Sequence, residues 1–401
     1  MAFGKFRTSL LSGPLFCGVA LAALMQPASA DVTIGLLTDL SGATSALTGK
    51  GAQRAAEMAI ADFGGEVNGE KIRLLVADHL SKPDVGLGIA REWIDRENVN
   101  VFLSVDHSAV GLAVSDLIRD KDVAMFHGGS SSSLINDSCG PNQVMMLLDT
   151  AALSRAITIP QIKAGNDKWF FIAVDYALGQ DLKAKGEAAV KAAGGEVVGD
   201  ALHSPQTTDF SSFLLEAQGK GAQTIGLATF GSWQNAIAKQ AQEFGITARL
   251  SPYYLGDTDI HSTGLETLQN ISGAIQFYWD QNDATREFTK RFREDFNRPP
   301  TFTNAYAYEF TRHYLTGIKT TGTKDAKTVV QWMRDNPMPL INGDTATIRP
   351  DGYTLRDVYT YNTKTPAESS GEWDYLEITG KVAADDIATP LSESTCSLVA
   401  K

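Results

Sequence analysis

The stretches 32–37 (VTIGLL), 72–77 (IRLLVA), 101–105 (VFLSV) and 123–126 (VAMF) decide the fold. Each is a short apolar run of strand length, bounded by polar or turn-forming residues. Between them lie longer helical patterns: Ala-rich Gly51–Phe63, then Pro83–Glu97 with a proline in its first turn, then Ala109–Lys121. Strands alternating with helices in this way predict a parallel sheet covered by helices on its faces.

The same plan then starts again. Ile157–Lys163 reads as helix, Trp169–Val174 as a buried strand, and Leu182–Ala193 as a helix stopped by Gly194-Gly195. Val197–Ala201, Thr224–Thr229 and Tyr253–Leu255 read as strands, with helices at Ser211–Gln218 and Gln234–Phe244 between them. The join falls near Asp149–Thr150. The last third departs from the pattern. It holds a strand at Ala274–Tyr278, helices at Glu287–Phe296, Ala305–Thr320 and Ala326–Arg334, and a β-rich tail at Thr347–Arg349, Asp357–Tyr361 and Trp373–Ile378. Two similar α/β units plus a segment belonging cleanly to neither predict a chain that crosses between them more than once.

The first thirty residues read as an export signal. Lys5 and Arg7 precede a mostly apolar Leu10–Leu24, and Ala28-Ser29-Ala30 supplies small residues for cleavage before Asp31. Ser12, Gly13 and Pro14 interrupt the apolar run, which is too short for a membrane anchor. Cys17 follows the bulky Phe16, which disfavours a lipoprotein site. The remaining chain carries 33 basic and 47 acidic residues, a formal charge of −14. An acidic chain without basic runs argues against nucleic acid and anionic membrane as partners. Cys139 and Cys396 are the cysteines left after cleavage, and an oxidising compartment predicts that they pair.

Several motifs, in order, resemble one family. Ser41-Gly42 with Gly49 and Gly51-Ala52, Ser108-Ala109 after the third strand, and Gly128-Gly129-Ser130-Ser131 after the fourth resemble periplasmic binding proteins of the Leu/Ile/Val type. The segments Trp169–Gly179 (WFFIAVDYALG), Asp209–Leu214, Phe277–Asp280, Ile348–Gly352 and Pro366–Ser369 resemble a proteobacterial branch of it. The resemblance spans the whole mature chain. It implies a type I fold: two Rossmann-like, doubly wound lobes joined by three crossovers, with a ligand cleft between them. Lobe 1 would be residues 31–149 and 273–341, and lobe 2 residues 150–272 and 342–401. The implied protein is a periplasmic monomer that delivers a small carboxylate-bearing ligand to the membrane permease of an ABC importer.

Ligands of open α/β sheets lie beyond the carboxyl ends of strands, where helices begin. Ser108 and Ala109 sit at such a place, where free N–H groups favour an anion. Gly128, Ser130 and Ser131 occupy the matching place one strand on, and glycine there admits a ligand close to the main chain. By family likeness, Ser108, Gly128 and Ser130 hold the ligand carboxylate. The plainer alternatives are a helix cap for Ser108 and a solvated turn for residues 130–133. In the second unit, Tyr176, Phe230, Trp233 and Asp257 follow predicted strand ends and form the expected closing wall. Aromatics there can stack on a ligand, or pack within their own unit; Asp257 can contact the ligand or cap a loop.

One position departs from the amino-acid binders. Where they place a glutamate for the ligand ammonium, this chain has Ser272 before Gly273. A buried ammonium needs a counter-charge. Either Asp257 or Asp259 supplies it, or the ligand is an aromatic or other carboxylate without an ammonium.

An enzyme is the rival class. No G-x-G-x-x-G follows the first strand, no P-loop is present, and His127-Gly128-Gly129 is followed by no G-x-S-x-G. The six histidines lack metal spacing, and His107 and His127 read as structural. No catalytic residue, cofactor or metal is expected. A ligand-sensing receptor module shares the fold; with no anchor after Lys401, a free carrier is expected instead.

Overall fold

Val32–Thr38 is buried at every position, as a continuous apolar run requires of a central parallel strand. The structure is a computed structural model that describes residues 1–5, 31–42, 44–175, 177–269 and 271–399. The apolar part of the export signal and its cleavage motif lie outside the described residues. In chain order the elements are β1 (Val32–Thr38), α1 (Gly49–Asp62), β2 (Glu66–Val67), β3 (Glu70–Asp78), α2 (Pro83–Arg96), β4 (Val101–Val105), α3 (Ser108–Ile118), β5 (Ala124–His127) and β6 (Gln143–Met145). Then follow α4 (Thr150–Lys163), β7 (Lys168–Val174), α5 (Ala177–Ala192), β8 (Glu196–His203), α6 (Ser211–Gly219), β9 (Thr224–Ala228), α7 (Ser232–Glu243) and β10 (Arg249–Pro252). The last third holds α8 (Asp257–Thr263), α9 (Leu265–Leu268), β11 (Ser272–Ile275), α10 (Asp283–Arg293), α11 (Phe302–Thr321), α12 (Ala326–Asp335), β12 (Met338–Pro339), β13 (Thr345–Ile348), β14 (Thr354–Leu355), β15 (Val358–Thr363), β16 (Leu376–Val382) and α13 (Ala384–Ile387).

The first sheet has the order β2-β3-β1-β4-β5-β6, and all its pairings are parallel except the β2–β3 hairpin. That hairpin turns through Asn68-Gly69, both at positive φ, as a two-residue turn of primed type demands. The second sheet, β10-β9-β7-β8, is parallel throughout. In each sheet the first strand in sequence has its successors on opposite sides. The loops after β1 and β4, and those after β7 and β9, therefore diverge and leave a crevice at the carboxyl end. That topology positions the site.

Side-chain alternation splits each core in two. Val32, Ile34 and Leu36 face α1 and α11, while Phe102, Val105 and Met125 face α2 and α3. Phe170 and Ile172 face α6 and α7, while Trp169, Phe171 and Ala173 face α4 and α5. Helix α1 lies close on α11 because its inner face is Ala52, Ala55, Ala56 and Ala59. A Cβ on Gly51 would sit 2.3 Å from Asn304 Oδ1.

In the last third two segments show which core they join. The predicted strand Ala274–Tyr278 is instead β11, which pairs antiparallel with β15 and keeps Ser272–Ile275 with the second unit. The strand ends there because the chain crosses: Phe277 enters the first core, and Tyr278 enters the second. Residues 342–348 were expected in lobe 2. The alternation in Thr345-Ala346-Thr347-Ile348 buries Ala346 and Ile348 in the first core, so this segment packs there. The chain then returns through β14 to β15 and β16.

Cys139 and Cys396 form a disulfide with Cα atoms 5.8 Å apart, across 257 positions. Beside it, Thr395 N donates to Asn136 Oδ1 at 3.0 Å and Thr395 Oγ1 to Asp137 Oδ1 at 2.7 Å. Among the described residues no helix is long and apolar enough to cross a membrane.

Candidate functional site

Three loops meet at the carboxyl end of the first sheet. After β1, the Asp39 carboxylate accepts from Ser41 N, Gly42 N, Thr44 N and Thr44 Oγ1. Burial works to raise its pKa, but the hydrogen bonds from Thr44, Gly42 and Ser41 outweigh that and hold the group below the usual carboxylate range. After β4, Ser108 is the first residue of α3, and His107 holds the cap position without a side-chain cap bond. Ser108 is therefore not an N-cap. Its Oγ accepts from Ser131 N at 3.3 Å, which joins the β4 and β5 loops. The approach leaves no room for side chains: a Cβ on Gly129 would lie 2.9 Å from Ser108 Oγ, and one on Gly128 3.0 Å from Asp106 Cα.

A cavity of about 80 Å³ lies against these loops. Leu47, Ser130, Leu147, Leu148 and Phe302 line it from the first sheet's side. Leu153, Tyr253, Tyr254, Leu255, Gly256 and Asp259 line it from the second, and Ala274–Gln276 close it at the crossing. Asp259 Oδ2 accepts from Gly256 N at 2.9 Å. Asp257, 5% exposed, has no hydrogen-bond partner for Oδ1 and no ion pair among the described residues. Burial pushes its pKa up to about 7; the Arg298 charge pulls the other way, and Asp259 adds to the rise. Arg298 donates instead to the carbonyls of Ala46 and Pro299.

The expected residues divide. Ser108, Gly128, Ser130 and Ser131 come together, and of these Ser130 lines the cavity. Ala109 is exposed in the first turn of α3 and does not line the cavity. Phe230 is one ring removed from the cavity, edge-on to Tyr254 at 6.3 Å. Trp233 turns into its own unit, with Nε1 donating to Pro205 O at 3.2 Å and its ring against His203. Tyr176 lies outside the described residues. Ser272 faces away, with Oγ bonded to Asn362 Oδ1 at 2.6 Å and to Arg249 at 2.7 Å. His127 is buried against Gln143, and burial lowers its pKa to about 4, so it is neutral near pH 7.

Sequence reasoning missed most of the apolar lining. Leu147 and Leu148 follow β6, a three-residue strand too short to read. Tyr253 and Tyr254 were read inside a strand that ends at Pro252. β10 is the edge strand of its sheet, where proline is tolerated, so Pro252 alone did not mark the strand end.

A family model described as periplasmic binding protein matches residues 31–371. The chain belongs to the periplasmic binding protein family. This binding protein is similar to a branched chain amino acid ABC transporter periplasmic ligand-binding protein from Burkholderia xenovorans. The two are 33% identical, with a TM-score of 0.89, covering 92% of this chain and 100% of that one. Leu/Ile/Val-binding protein homolog 2 of Brucella abortus is 22% identical, over 82% of this chain and 90% of its own. A solute binding protein from R. palustris in complex with benzoate, 19% identical with a TM-score of 0.77 over 92% of this chain and all of that one, shares the fold. The fold is thus the type I binding-protein fold. Proteins of this kind carry small solutes to ABC-transporter permeases and are not enzymes, and that is the class of this binding protein.

Proposed function

We propose that this binding protein captures an amino acid with a compact apolar side chain in the periplasm, exported there behind residues 1–30, and passes it to an importer as a monomer. The observation that carries the ligand class is the charge of the cleft. Among the described residues no lysine or arginine lines the cavity, while Asp259 lines it and Asp257 lies beside it with an unpaired oxygen. A bare carboxylate would meet acids without a cation. A zwitterion fits: its carboxylate goes to Ser108, Ser130 and the N–H groups at the start of α3, and its ammonium to Asp257 and Asp259. Leu47, Leu147, Leu148 and Leu153 suit an aliphatic side chain.

In this reading the first lobe takes residues 31–149 and roughly 276–352, and the second takes the remainder, following the shared cores. The present cavity is smaller than the roughly 150 Å³ that holds a benzene-sized guest, so the lobes must part to admit a solute.

A second reading, an aromatic carboxylate, is favoured by the rings of Tyr254 and Phe302 on the lining. Calorimetry with ligand-stripped protein separates the two. L-leucine, L-isoleucine or L-valine should bind, and benzoate and 4-hydroxybenzoate should not. Tight benzoate binding with no amino-acid binding would replace the first reading by the second.

A further inference from the structure

Behind the Ser108 loop lies a sealed pair, His79 and Asp106, with side chains 0% and 3% exposed and 2.5 Å between Nε2 and Oδ1. The protonation of this pair can be read from its partners. Ser81 N donates to His79 Nδ1 at 3.0 Å, so Nδ1 carries no proton. The ring is then the neutral tautomer with its proton on Nε2, aimed at Asp106. The same carboxylate also accepts from Thr38 Oγ1 at 2.8 Å and from Asp39 N at 3.2 Å. One side chain, two residues before Ser108, thus gathers the ends of β1 and β3 onto the loop after β4.

The backbone around the pair is strained. Leu80, Ser81 and Ser104 have φ of +52°, +54° and +55°, the left-handed region that residues with a Cβ avoid. Two of them follow His79 directly. The third sits in β4 where its pairing with β5 slips register. Strain of this kind persists only where surrounding bonds over-determine it, and the His79–Asp106 pair supplies such bonds to both segments.

We propose that His79 and Asp106 are positioning residues, a neutral clasp that holds the strained loops after β3 and β4 so that Ser108 and Ser131 present a fixed face to the ligand. This rests on reading Ser108 and Ser131 as part of the cleft. The fit is specific to a group that accepts from Ser81 N and donates to Asp106. His79→Leu removes both functions, and His79→Gln restores a donor toward Asp106. Asp106→Asn keeps an acceptor for Thr38 and Asp39, but sets an amide N–H against the Nε2 proton.

Amide hydrogen exchange of the ligand-free protein tests the clasp without knowledge of the solute. His79→Leu should speed exchange at Asp39, Ser81 and Ser131 about tenfold, the protection of roughly one hydrogen bond. It should leave Trp169–Val174 in the second sheet unchanged, and His79→Gln should recover most of the loss at Asp39 and Ser131. Asp106→Asn, the second variant should His79→Leu fail to fold, should reproduce the local effect. L-leucine affinity should fall and recover in parallel. Equal acceleration in both sheets would make the pair a general stability element and overturn the proposal; unchanged exchange at Ser131 would overturn it too. Wild-type protein that ignores L-leucine while the exchange pattern holds would reject the ligand class and leave the clasp standing.

Discussion

The two walls of the cleft are built differently. On the first sheet's side the acids are saturated: Asp39 takes donors from three residues of its own loop, and Asp106 takes donors from Thr38, Asp39 and His79. On the second side Asp257 Oδ1 is unpaired. A buried polar atom without a partner is costly, and in the proposed reading the ligand ammonium supplies the partner that Asp257 lacks. The first wall is a preorganised platform. In the proposed reading the second is completed when a solute and the opposing lobe close on it, an asymmetry that suits a protein whose halves move.

Asp257→Asn should show the largest effect. If Asp257 meets the ligand ammonium, the exchange removes one of its two counter-charges and leaves Asp259 alone, and L-leucine binding should weaken by about 3 kcal/mol in calorimetry, the low end for a broken buried ion pair. A loss below twofold would put the second wall's unpaired acid outside the site.

The disulfide comes next. Removing it with Cys139→Ser and Cys396→Ser frees a very long loop in the unfolded chain and should lower stability by about 2 to 4 kcal/mol. Thermal unfolding with and without reductant checks this. The bridge ties the tail, which first packs on α4 through Arg155 and the carbonyl of Ile387, to the loop before β6. The loss should therefore appear as earlier fraying of residues 388–399.

Ser108→Ala probes the platform and should weaken binding by about 1 to 3 kcal/mol, the range for a hydrogen bond to a charged group. Affinity within twofold of wild type would leave Ser108 as a tie to Ser131 only.

The smallest effect is that of pH, and it has opposite signs for binding and for folding. Asp257 must be ionised to hold an ammonium, and its pKa in the free protein is about 7. L-leucine affinity should therefore fall about tenfold from pH 8 to pH 6. For the ligand-free fold, a raised pKa means a contribution present in full below the ordinary carboxylate value and lost as pH rises through about 7. Asp257→Asn should thus raise the melting temperature relative to wild type at pH 8 and not at pH 4.

The strand ends that carry the proposed platform were legible in the sequence, and the residues of the proposed second wall largely were not. Ser108, Gly128 and Ser130 lie just beyond β4 and β5, short strands buried throughout, and the alternation of strands with helices places them at the carboxyl end of a parallel sheet. For Trp233 the sequence left two readings open, because a strand end does not say which way a side chain turns; its indole finds Pro205 O within its own unit. Phe302, Ala274 and Ile275 reach the cavity only because the chain crosses between sheets, and no local pattern encodes a crossing. Ala346 and Ile348 show the same limit, since their two-residue period says that one face is buried and not against which core.

The account stands on closure of the two walls over an amino acid. Small-angle X-ray scattering of ligand-stripped protein, recorded without solute and with saturating L-leucine, measures this directly. The account predicts a smaller radius of gyration with solute; an unchanged profile at saturation would contradict it.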